Sequence, residues 1–107
     1  MRYRSFHERL INAVLTTPGA TPESLRRAVL ERAQAPRGGP DAVPQALTPY
    51  VDTVARHAYK VTDADVAALQ QGQSDDAIFE ITVAAAVGAA MHRLQRGMAA
   101  LHGEEPD

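Results

Sequence analysis

The sequence predicts an all-α protein organised as one domain, and three observations carry that prediction. Apolar residues recur three and four apart in the segments free of proline and glycine, while the two-residue alternation of a strand is missing throughout. The apolar content leans on alanine and not on aromatics, with two Phe, three Tyr and no Trp. Alanine loses no side-chain entropy in a helix, so this composition favours helix wherever nothing breaks it. The third observation is a set of cap signatures, Thr-Pro, Thr-x-x-Asp and Ser-Asp-Asp, each placed just before an apolar periodic run. A length of 107 residues fits one domain or one protomer of an assembly, with a modest core that assembly would enlarge.

The first helix is expected over Ser5–Thr16, where Phe6, Leu10, Ile11, Val14 and Leu15 share a face and Pro18-Gly19 ends the run. Thr21-Pro22-Glu23 starts a second, with a capping hydroxyl, proline at the first helical position and a carboxylate in the first turn. Leu25, Ala28, Val29 and Arg32 carry it to about Ala33, completing an N-terminal helical pair over 1–34 with its arginines on a solvated face. Residues 35–47 form a Pro/Gly loop, mobile or bridging between protomers. Thr48-Pro49 opens a third helix whose apolar face is Val51, Val54, Ala55 and Ala58, and which finishes near Lys60. Asp52 and Arg56, four apart, are expected to pair on its exposed side for about 0.3–0.5 kcal/mol.

Thr62-x-x-Asp65 is a variant capping box leading into a short helix with Val66, Ala67 and Leu69, ended by Gly72 in a left-handed conformation. Ser74-Asp75-Asp76 caps the last and longest helix, along which Ile78, Ile81, Ala85, Ala89 and Leu94 trace a buried stripe. Ala84, Ala85, Ala86, Ala89 and Ala90 make it smooth. Gly88 costs about 1 kcal/mol in a helix interior, which predicts another backbone close by. Arg93 and Arg96 suit its negative end, and residues 102–107 are a polar tail that frays.

Composition excludes several functions. Cysteine is absent, which removes disulfides, thiolate nucleophiles and cysteine-ligated metals from this chain's own chemistry. No apolar run is read as reaching the roughly 20 residues that span a bilayer, and the first residues have no hydrophobic signal core, so a cytoplasmic location without a membrane partner is expected. Net charge is −2, but residues 1–39 hold seven arginines against Glu8, Glu23 and Glu31, and the remainder is acidic. The arginines are dispersed, so basic helices packing beside acidic ones explain the asymmetry better than nucleic acid. A helix-turn-helix over 62–90 fails for a related reason, since its second helix begins with acids that repel phosphate.

From Ala58 to Ile78, the residues Ala58-Tyr59, Val61, Ala67-Ala68-Leu69, Gly72, Ser74, Asp76 and Ile78 form the pattern AYxV…AALxxGxSxDxI. With Glu80, these residues resemble the all-helical carboxymuconolactone decarboxylase and alkylhydroperoxidase D family, the likeness covering 48–101. The redox branch of that family carries Cys-x-x-Cys-x-x-x-His at this corner; here the three places hold His57, Lys60 and Ala64. The decarboxylase branch also resembles this chain with a His in place of Ala64. The resemblance implies a helical fold that assembles as a dimer, trimer or hexamer. It implies no thiol peroxidase activity, because both thiols are replaced.

Two functions follow as expectations. One is a non-redox oligomeric protein, structural or binding a small molecule such as a carboxylate or lactone. The other is cysteine-independent acid–base chemistry, with His57 and either Asp63 or Glu80 as catalytic residues beside a pocket holding Tyr59 and Lys60. Imidazole titrates near neutrality, which is why His57 is the candidate base. The plainer reading has His57 ending a helix, Tyr59 filling core, Lys60 solvated and Asp63 capping. His92 would join His57 only if the fold brought them together. No metal or cofactor site is expected, because no histidine has the spacing of a ligand pair.

Overall fold

The structure, a computed structural model, describes residues 2–35 and 42–103. Five α-helices follow in order: α1 (Arg2–Thr16), α2 (Glu23–Gln34), α3 (Thr48–His57), α4 (Asp63–Leu69) and α5 (Asp75–Leu101), with a 3₁₀ turn over Ala58–Lys60. No strand occurs among the described residues. The all-α expectation therefore holds. The centre of the Pro/Gly loop and the end of the polar tail lie outside the described residues.

α5 is the axis of the molecule, and α1, α2 and α3 pack against it. Thr21 meets Glu80 while Leu30, Ala33 and Gln34 meet Gly88, so α2 runs in the same sense as α5. Tyr50 shares a 2.7 Å hydrogen bond with Thr82, and Arg93 donates to the Ala55 carbonyl, so α3 runs in that sense too. Val29, Val51 and Ile81, one from each helix, are wholly buried at the meeting line. Gly88 behaves as the sequence predicts: a Cβ there would collide with the Leu30 carbonyl and come within 2.9 Å of the Ala33 methyl. Only a bare α-carbon lets the two helices approach this closely.

Several local expectations are corrected. α1 starts at Arg2, ahead of Ser5, and α2 has Pro22 at its cap with no side-chain capping bond; the Thr21 hydroxyl is turned to Glu80 instead. Thr62 and Asp65 form the reciprocal capping box and Ser74 caps α5, both as read. Gly72 is not left-handed, because α4 ends through the ordinary helical turn at Gln70; Gly103 has the positive φ, at 71°. Leu94 leaves the buried stripe and is 38% exposed, lying toward the face of α5 that α2 and α3 do not cover. Contrary to the sequence reading, α5 is long and apolar enough to cross a membrane; 44% of that stretch is buried within the fold.

Candidate functional site

The corner singled out by the sequence is solvent-facing. α3 buries Tyr50, Val51, Val54 and Ala55, and the chain then leaves the core at Arg56. His57, Tyr59, Lys60, Asp63 and Ala64 are all exposed, Tyr59 by 81%, so Tyr59 does not fill core. The His57 and Tyr59 rings meet edge-on at 6.0 Å, and the Lys60 ammonium lies 5.9 Å from the Tyr59 ring centre. No hydrogen bond or ion pair joins His57 with Asp63 among the described residues.

Glu80 is elsewhere. The end of α3 shares a recess with Ala89, His92 and Arg93, which lie nine to thirteen residues beyond Glu80 on α5. That is roughly 14–20 Å of helix rise, too far for Glu80 to pair directly with His57. Glu80 Oε2 accepts from the Ala20 amide at 2.7 Å, and Oε1 accepts from the Thr21 amide at 2.8 Å and from its hydroxyl. The Thr21 hydroxyl, followed by the Ala20 amide, holds the Glu80 carboxyl below its ordinary value of 4.5. A Cβ at Gly19 would meet this carboxylate and push it off its present partners.

Beside Glu80 sits Arg26, 4% exposed, which overturns the reading of the N-terminal arginines as a uniformly solvated face. Its Nε donates to the Val14 carbonyl at 2.9 Å, and Nη2 donates to those of Leu15 and Thr17 at 2.8 Å each. Nη1 donates to the Thr21 carbonyl and stands 3.7 Å from Glu80. A helix leaves its last carbonyls without partners, and this guanidinium gathers those of α1 while neutralising Glu80. The clasp is fully engaged. A cavity of about 260 Å³ opens over it, lined mainly by apolar groups of Ala13, Val14, Phe79 and Val83.

A second recess of about 240 Å³ lies where α2 and α3 end against α5, lined by Arg32, Asp52, Arg56, His92 and Arg93 with alanines beneath. Asp52 does not take the local partner four residues on. Both its oxygens accept from Arg32, at 2.7 and 2.9 Å, because the tertiary contact presents a bidentate guanidinium. That hydrogen bonding holds the Asp52 carboxyl below its ordinary value, with the Arg56 charge adding to it. The recess is thus lined by three guanidiniums and an imidazole against one carboxylate already committed to Arg32. His92 is here with the arginines, and His57 is not among the lining residues. Among the described residues no three potential metal ligands gather.

Sequence reasoning missed both Arg26 and this recess. A signal for the recess was present, since Arg32 and Arg56 each adjoin an alanine of a buried stripe, Ala33 and Ala55. Compared with protein-family models, characterised proteins and solved structures, the chain matches none.

Proposed function

We propose that this chain is a non-redox helical protein of the alkylhydroperoxidase D kind that binds a small carboxylate and works as an assembly of copies in the cytoplasm. The observation that carries the ligand class is the recess of Arg32, Arg56, His92 and Arg93. Cationic side chains from three helices face it, and guanidinium geometry matches a carboxylate. The absence of cysteine supports a role outside thiol chemistry. Acid–base catalysis by His57 with Asp63 draws less support, because both are exposed and Glu80 is committed to the clasp.

A thermal-shift series with succinate, inorganic phosphate and γ-butyrolactone tests the reading. A carboxylate at 100 times its dissociation constant stabilises by about 2.7 kcal/mol, a midpoint shift on the order of 10 °C for a domain this size. Arg56→Gln with Arg93→Gln should abolish the shift, and His57→Ala should keep it. A shift lost in His57→Ala alone moves the site to the corner and to the acid–base reading. No response to any of the three compounds removes the ligand class.

A further inference from the structure

The strongest unexplained feature is the outer face of α5. Phe79, Val83, Ala86, Ala90, Leu94, Gly97 and Leu101 recur at intervals of three and four, so they lie on one face. That face is turned away from the stripe of Ile81, Ala84, Ala85 and Gly88 that meets the core. Phe79 is 69% exposed, Leu94 38% and Leu101 78%, while Ala86 and Ala90 are also open to solvent. An apolar strip from Phe79 to Leu101 runs roughly 33 Å along the helix. Contiguous apolar surface of this extent marks an interaction site in soluble proteins.

We propose that a second copy of the chain covers this strip, through an antiparallel α5–α5 pairing about a two-fold axis near Ala86. This rests on the assembly part of the proposed function and names the surface that part requires. Charge decides the orientation. Asp75 and Asp76 stand at the start of α5, and Arg93 and Arg96 on its last third. Antiparallel pairing centred beside Ala86 brings Asp75 within a turn of the other copy's Arg96 on the same flank of the strip, whereas parallel pairing stacks acids on acids and aligns the two macrodipoles. The apolar residues match in the same register: Phe79 comes level with Leu94, and Val83 with Ala90. The other copy's Leu94 thereby arrives at the cavity lined by Ala13, Val14, Phe79 and Val83. Ala86, Ala90 and Gly97 let the two helix axes approach closely. Each copy offers the same surface, as a two-fold interface demands.

Light scattering after gel filtration should give twice the 11.5 kDa chain mass at micromolar concentration. Ala86→Glu and Leu94→Glu alter exposed positions, so each should yield a monomer with unchanged helical circular dichroism. Orientation is tested by charge exchange. Asp75→Lys and Arg96→Glu should each raise the dimer dissociation constant roughly three- to tenfold, and the double variant should restore it. A native chain that stays at 11.5 kDa at 100 µM overturns this proposal and the assembly reading together. An assembly whose mass survives both glutamate variants overturns the α5 surface alone. Failure of the double variant to recover overturns the antiparallel arrangement. Flotation of the native chain with phosphatidylcholine vesicles in place of a dimer peak assigns the strip to lipid and overturns the pairing.

Discussion

The α2–α5 contact and the corner over residues 58–72 both carry several alanines, yet one is closed and the other open. At the contact, Gly88 and Ala33 let two backbones meet, and Arg26 and Glu80 satisfy each other and the surrounding chain. At the corner, α4 contributes no fully buried residue; Val61, Val66 and Leu69 lean half-buried on the core, and capping and ring-edge contacts order the rest. Alanine gives a helix its freedom to form, but it does not choose a partner for it. What separates the two regions is whether a second backbone is near enough to use the smallness.

The largest expected effect comes from Arg26→Met. It removes the donor for the Val14, Leu15 and Thr17 carbonyls and takes the cation from beside Glu80, which should cost about 3–5 kcal/mol in urea unfolding. A loss under about 1 kcal/mol would mean that the clasp is dispensable and that the two regions differ less than their packing implies.

A pair of glycine substitutions sharpens the comparison further. Gly88→Ala should destabilise by about 1–3 kcal/mol, despite alanine's better helix propensity, because its methyl has nowhere to go. Gly72→Ala meets no atom within 4 Å and needs no positive φ, so it should be neutral or stabilise by about 0.4–1 kcal/mol. Equal responses would erase the distinction between a closed and an open region.

The smallest effect is in the acid limb of stability. Glu80 has its folded value below the ordinary 4.5, so its contribution is present above about pH 4.5 and is lost as pH falls through the folded value. Denaturant midpoints between about pH 3 and pH 6 should therefore vary less in Glu80→Gln than in the native chain. Identical pH profiles would show that the clasp holds without its charge.

Local geometry was legible in the sequence. The Thr62–Asp65 box, the Ser74 cap and the close approach at Gly88 each depend on a few neighbouring residues, and each is found. Partnerships across helices were not. Asp52 offered a local arginine four residues on, but the one that takes it is twenty residues away. Arg26 looked like any other helix arginine, since nothing nearby shows that the end of α1 folds over it. The corner invited a functional reading because its residue types suit catalysis, but residue type does not report exposure, and Tyr59 lies open to water.

The bonds from Ala20 and Thr21 to Glu80 span 60 and 59 residues. On the ribosome, the N-terminal helices are made well before the carboxylate that ties them down. At roughly 5–20 residues per second they wait about 3–12 s for it, longer once passage through the exit tunnel is added. Through that interval α1 and α2 have only each other and the short α3 to bury against. The nascent chain therefore cannot settle its first third until its last helix is translated, which makes premature termination within α5 a route to an unfolded product.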